Sequence, residues 1–380
     1  MMIRQTQFPM LNRAVATLLA TSAAAVLGLA HETGHDHPHD VPVARWLPMV
    51  TEQKGPIRAP ARLKTTPPQV TGQGFWKFVP LRDGVLPLPE ETKPFVKGAH
   101  GTILVDAPRD VVYWGLEKVG WIAFNGALAR SAVIQGDPAF ARGNLHGADL
   151  LARKGALPLV AVADNVEGEV YLSDTSFAQA ETLKMPAGGP YADQKGFAPT
   201  DVAFTAKQEL YVTDGYGKAY FMPTSLDPLR YQGPMHGGKE FSQTPHGITY
   251  DPSDRSLLLS ARPEAQVKRW SMARRQVMDI AGLPAGSTVC DVDLWGDYAL
   301  APCLDGPNQS PGPIYIINLK KRAIVSVLRP KQDLGFDDAQ HIHDAAWYLM
   351  PNGRRKELVV LFTNWNPGGI GALKLVNLPD

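Results

Sequence analysis

From His100 onward, short apolar runs come in groups of three, set apart by Gly, Pro, Asn and Asp. Runs of this length, alternating or fully apolar, read as strands bounded by turns. Each group opens on a polar residue, then Gly or Asp, then an apolar stretch. The openings are His100-Gly-Thr-Ile-Leu-Val, His146-Gly-Ala-Asp-Leu-Leu, Thr200-Asp-Val-Ala-Phe, His246-Gly-Ile-Thr-Tyr, Cys290-Asp-Val-Asp-Leu and His343-Asp-Ala-Ala-Trp. A second run follows each opening (VVYWG, LVAVAD, LYVTD, LLLSA, YALAP, ELVVLF), and then a third (GWIAF, GEVYL, KAYFM, QVKRW, PIYII, GALKL). A repeat of about forty to fifty residues built from short strands is the pattern of four-stranded blades. Six openings predict an all-β, six-bladed β-propeller over residues 96–380. A β-helix would need a shorter and more regular period, and a β-sandwich would not need six equivalent openings.

The chain before this region reads differently. Arg4 and Arg13 precede an uncharged, small and apolar stretch from Ala14 to Ala30, and Gly28-Leu29-Ala30 suits a small-x-small cleavage site. Residues 1–30 are therefore expected to be a secretory signal peptide, and the protein to be exported, periplasmic or secreted. An uncleaved membrane anchor is the rival, but the Ala-rich run is short and weakly hydrophobic for that role. No later apolar span has the length of a membrane crossing, so no integral membrane domain is expected after cleavage. Residues 31–40, HETGHDHPHD, hold four of the ten histidines. Such a tract can bind zinc, copper or nickel loosely, or serve as a charged tail. Residues 41–95 are Pro-rich and linker-like, with Trp46, Phe75 and Trp76 as anchors, and can add a strand that closes the ring.

Composition narrows the partners. Lys and Arg number 38 against 37 Asp and Glu, a formal charge of +1. Nucleic-acid binding needs a dense basic face that this balance does not supply. A monomer acting on a small molecule or peptide is the expectation. Cys290 and Cys303, the only cysteines, lie symmetrically about Gly296-Asp297. A hairpin there would set them on facing residues, and export to an oxidising compartment then predicts a disulfide, with a free buried pair as the alternative.

The candidate chemistry comes from the openings. His146, His246 and His343 occupy the same register, separated by 100 and 97 residues, or two blades each time. The first strand of a blade lines the central channel, and alternate blades of six stand about 120° apart. Three imidazoles at one height would converge on the axis as a three-His set with open positions, the arrangement of a catalytic zinc. His100 has the same register, but its blade adjoins that of His146 and breaks the threefold pattern. It is either an additional channel imidazole or a capping residue. His236, in the loop GPMHGGKE, has no such register.

The segments PTDVAF…LYVTDGYGKAY, TPHGITYDPSDRSLLLSARPE and HIHDAAW resemble NHL-type six-bladed propellers. Among these they are most similar to peptidyl-α-hydroxyglycine α-amidating lyase. The resemblance covers roughly residues 100–380 and is strongest over 198–265. It implies a zinc held by His146, His246 and His343, a catalytic Tyr216, an active-site Arg262, and Asp344 as a ligand of a structural calcium. There are departures. No arginine of the first blade aligns with the family's second arginine, Lys118 being the nearest cation. His341 stands where the family has Met, and no monooxygenase partner domain is present in this sequence.

The chemistry holds together on its own terms. Zinc is a Lewis acid toward a hydroxyl or carbonyl oxygen. A nearby tyrosine serves as acid or base if a cation lowers its pKa. Arg262 can supply that charge or fork onto a substrate carboxylate. The reaction implied is a carbon–nitrogen lyase acting on an α-hydroxyglycine or related carbinolamide or hydroxy acid. Two other classes remain: a non-catalytic propeller that binds a protein, peptide or metal ion, and a lactonase-type hydrolase. The latter typically uses carboxylate and Asn ligands to calcium, and the axial His, Thr and Cys residues weigh against it.

Overall fold

The structure is a computed structural model of the chain and describes residues 69–376. The expected signal peptide, the His-rich tract and Trp46 lie outside the described residues. No helix among the described residues is long and apolar enough to cross a membrane.

The apolar runs fold into six antiparallel sheets, in chain order, arranged as the blades of a six-bladed β-propeller. The first strands of the blades are Ile103–Asp106, Leu145–Leu151, Asp201–Phe204, Pro245–Asp251, Asp293–Trp295 and Ile342–Asn352. Each touches the next and the last touches the first, so the ring is closed around a channel. The second strands are covered on both faces and therefore read as continuous apolar runs. In blade 1, Val112, Trp114 and Leu116 pack with Tyr348, Met350, Val359 and Leu361 of blade 6.

Ring closure uses both parts of the chain. Trp76–Val85 pairs antiparallel with Ile370–Leu375, setting Phe78 opposite Leu375, and Thr71–Gln73 forms the outermost strand of blade 6. Residues 71–85 are thus propeller strands. Phe78 is buried against Leu328 and Leu373, and Trp76 packs in an aromatic group with Trp295, Tyr298 and Trp347. Phe75 is exposed.

Buried carboxylates join neighbouring blades along the channel. Asp149 Oδ2 accepts from the Phe204 N–H, Asp201 Oδ2 from Ile248, Asp293 Oδ2 from Trp347 and Asp344 Oδ2 from Ile103, each at 2.7 Å. Each bond crosses from one first strand to the next, so the ring is held along the channel wall. This is also where Asp344 acts in the structure.

The two cysteines are free and buried, which corrects the expected disulfide. Near the turn the register is the expected symmetric one, with Trp295 opposite Tyr298 and Asp293 opposite Leu300. Further from the turn it slips by one residue, so that Val289 faces Cys303. A one-residue slip moves a side chain to the other face of the strand. Cys290 accordingly turns toward Arg262, whose Nη2 lies 3.2 Å from its sulfur. Thiol titration of denatured, unreduced protein should therefore count two free cysteines, and reductant should leave the melting temperature unchanged. A drop in melting temperature on adding reductant would contradict this geometry.

Candidate metal centre

The same slip recurs where the histidines sit. In blade 2 it falls between Leu145 and Gly147, in blade 4 between Pro245 and Ile248, and in blade 6 between Ile342 and Ala345. His146, His246 and His343 each lie inside such a β-bulge, and Cys290 occupies the corresponding place in blade 5. A bulge places two residues opposite one, bends the strand and re-aims a side chain. Here it turns side chains that would otherwise pack between blades toward the axis.

Four imidazoles meet there. Ring centroids are 4.7 Å apart for His146 and His246, 4.6 Å for His146 and His343, and 5.1 Å for His246 and His343. His100 joins them at 4.9 Å from His146 and 4.8 Å from His343. Nitrogens of His100, His146 and His343 all lie within 4.8 Å of one another. Backbone carbonyls orient two of the rings: His146 Nδ1 is 2.7 Å from the Thr200 oxygen, and His246 Nδ1 is 2.7 Å from the Cys290 oxygen. The Nδ1–H donates in each case, which leaves Nε2 as a lone-pair donor facing inward. This outer hydrogen bond is the usual way a ligating imidazole is held. His343 is buried with no hydrogen-bond partner for either ring nitrogen. A buried polar atom left unpaired is costly, and a metal ion would relieve that cost.

Burial holds His146, His246 and His343 well below the ordinary imidazole pKa, with the other imidazoles and the Arg262 charge acting in the same direction. His100 is lowered to about 4 by burial and by Arg262. All four rings are thus neutral at pH 7, the state a metal requires. The donor set is nitrogen only, which suits zinc, copper or nickel better than calcium.

Tyr216 and Arg262 cap one side of the cluster. Tyr216 Oη is 2.9 Å from His246 Nε2 and 3.4 Å from His146 Nε2. Arg262 Nη1 donates to that hydroxyl at 3.1 Å, and Nη2 stands 2.6 Å from His246 Nε2. Arg262 Nε is buried without a partner, so one donor remains unused. Tyr216 rides on a turn with no room for side chains beside it. A Cβ at Gly215 would lie 2.5 Å from Thr200 Oγ1, and one at Gly217 would lie 2.1 Å from Asp214 Oδ1. Asp214 accepts from the Lys218 and Ala198 N–H groups and from the Tyr191 hydroxyl, which fixes that turn. Burial raises the Tyr216 pKa and outweighs the opposing Arg262 charge, so the phenol is neutral.

The remaining sequence candidates are placed as follows. His341 lies at the rim, with Nδ1 3.2 Å from Asp305 Oδ1 and its ring near Trp365. Lys118 is exposed and paired with its neighbour Glu117. Asp344 lines the channel, where burial raises its pKa to about 7, with the Asp201 and Asp293 charges acting in the same direction and hydrogen bonds from Asp291 and the Ile103 N–H opposing it. His146, His246 and His343 border a cavity of about 280 Å³ that is lined also by Asp149, Asp201, Asp291, Asp293 and Trp347. Two residues escaped the sequence reading. Trp365 stacks on His100 with centroids 5.4 Å apart, and Asn144 Nδ2 is 3.0 Å from His100 Nδ1. Trp365 follows the second strand of blade 6 as Arg262 follows that of blade 4, and that equivalence was the available signal.

No protein-family model and no curated protein sequence matches the chain. Solved structures do. A gluconolactonase from Xanthomonas campestris superposes with a TM-score of 0.55 at 11% identity, covering 82% of this chain and 96% of that one. A putative gluconolactonase gives 0.51 at 13% identity over 74% and 90%. A nidogen/laminin complex chain gives 0.50 at 12% identity over 72% and 95%. At these identities the likeness is one of fold. Fold and site together define a six-bladed β-propeller with a buried, neutral imidazole cluster on its axis.

Proposed function

We propose that this protein is an exported, metal-dependent propeller enzyme of the amidating-lyase type, acting on an α-hydroxyglycine or a related carbinolamide or hydroxy acid. The observation that carries it is His343, buried on the axis with both nitrogens unpaired and other imidazoles within 4.6–5.1 Å. His146 and His343 would hold the ion together with one further imidazole of the cluster, His246 by sequence register or His100 by distance; zinc is the ion expected. When bound, zinc supplies Lewis acidity toward a substrate oxygen.

The chain's own groups do the rest. Arg262, with a free Nε donor, holds the substrate carboxylate. Tyr216 Oη passes the proton: it gives its own to the departing nitrogen and takes that of the substrate hydroxyl. The carbon–nitrogen bond breaks as the carbonyl forms, releasing an amide and glyoxylate. A structural calcium ion held by Asp344 belongs to the same reading.

A second reading, a lactonase-type hydrolase, is favoured by the gluconolactonase folds. A binding protein without catalysis is the third. Elemental analysis of protein lacking residues 31–40 is expected to find about one zinc per chain, and the loaded protein to release glyoxylate from an α-hydroxyglycine peptide. Metal-loaded protein that opens gluconolactone and ignores the peptide would establish the second reading. Protein without transition metal after growth in zinc would end the first.

A further inference from the structure

The four imidazoles form two triangles that share the His146–His343 edge. His246 closes one and His100 closes the other. The two sides of that edge are not alike. On the first, both nitrogens of His246 are already engaged, Nδ1 with the Cys290 carbonyl and Nε2 with Tyr216 Oη and Arg262 Nη2. The guanidinium is a permanent cation 2.6 Å from the nitrogen that would have to bind a second cation. On the other side there is no fixed charge. Besides His146 and His343, His100 meets Asn144 and the face of Trp365.

Building on the metal-dependent reading, we infer that the metal's three protein ligands are His100, His146 and His343, and that His246 stays off the metal to serve with Tyr216 and Arg262. These are the three residues whose nitrogens lie mutually within 4.8 Å. Asn144 fits the assignment. Its Oδ1 is buried without a partner, while its Nδ2 faces both His100 Nδ1 and Asn165 Oδ1. Amide oxygen and nitrogen are interchangeable by a flip. Turned over together with the Asn165 amide, whose Nδ2 then donates across the 2.8 Å contact, Oδ1 takes the His100 Nδ1–H, and His100 Nε2 is left as a lone-pair donor. The amide then does for His100 what the Thr200 carbonyl does for His146.

The division of labour gives the site two faces. His100, with Trp365 stacked on it, would hold the metal on one together with His146 and His343. The other presents Tyr216 Oη, Arg262 and the Nε2 of His246, which accepts the phenol proton across 2.9 Å. A substrate oxygen bound between them would meet Lewis acid and proton carrier from opposite sides. His246 then becomes a positioning residue for Tyr216, setting the direction of its O–H.

The test measures zinc affinity by competition with a chromophoric chelator, using protein lacking residues 31–40. His100→Ala should weaken zinc binding by about 100-fold or more, beyond the usual loss for an outer-shell partner, while His246→Ala should stay within about 10-fold of wild type. The cobalt-substituted protein gives a second readout. Its visible spectrum should be unchanged in His246→Ala and altered in His100→Gln, which keeps bulk at that site should His100→Ala misfold. Loss of zinc from His246→Ala, alone or together with His100→Ala, would overturn the inference and leave a metal enzyme with other ligands. Wild-type protein that binds no zinc would overturn the broader reading and this one with it.

Discussion

His343→Ala should remove the metal from the purified protein and abolish turnover. His343 belongs to both imidazole triangles, so the outcome is independent of the third ligand. The stability consequence runs opposite to that of an ordinary core deletion. In metal-free protein both His343 nitrogens are buried and unpaired, a state that costs about 1–3 kcal/mol per group. Alanine removes that cost, and the channel can admit water in place of the ring. Metal-free variant and metal-free wild type should therefore melt within a few degrees of each other. Added zinc should separate them, because an ion at about 1,000 times its dissociation constant stabilises the protein that binds it by about 4 kcal/mol. Calorimetry with and without chelator reads this directly. A variant that kept its zinc, or that responded to zinc as wild type does, would remove His343 from the site.

Tyr216→Phe should keep the zinc and lose the chemistry. The phenol ring is held by its turn and by contacts with His146 and His246, at centroid distances of 5.2 and 5.1 Å. Phenylalanine preserves those contacts and removes only the hydroxyl that Arg262 and His246 share. A positioned acid–base group contributes about 10²–10⁴-fold, and kcat should fall by that factor with KM little changed. Glyoxylate release from an α-hydroxyglycine peptide is the assay, with zinc content measured on the same preparation. A Tyr216→Phe enzyme at wild-type rate would leave the reaction standing and take the tyrosine out of it.

Much of this was legible in the residues. The second and third strands of the blades fall on the apolar runs, because a strand covered on both faces must be apolar along its length. Register within the repeat placed His146, His246 and His343 on equivalent positions of alternate blades. The place of Tyr216 and Arg262, each just after a second strand, brought them to the same rim. What pattern could not reach was the parity of the first strands. Cys290 and Cys303 are symmetric about their turn, yet one extra residue between Val289 and Asp293 sets them on different faces. Register alone leaves His100 either a channel imidazole or a cap, because its blade breaks the threefold pattern; the fold brings its ring to 4.9 Å from His146.

Sequence by itself determined the number of blades, most of their strands and the shared register of His146, His246 and His343, because burial imposes a period and a repeat imposes a register. Only the tertiary structure decided where each channel side chain points and which ones meet. A β-bulge depends on which backbone groups pair across the strands, and a residue's type carries no record of that pairing. The same holds for Trp365 over His100, for Arg262 against His246, and for Trp76–Val85 closing the ring beside Ile370–Leu375. Each joins residues far apart in the chain, and only the closing of the propeller brings them together.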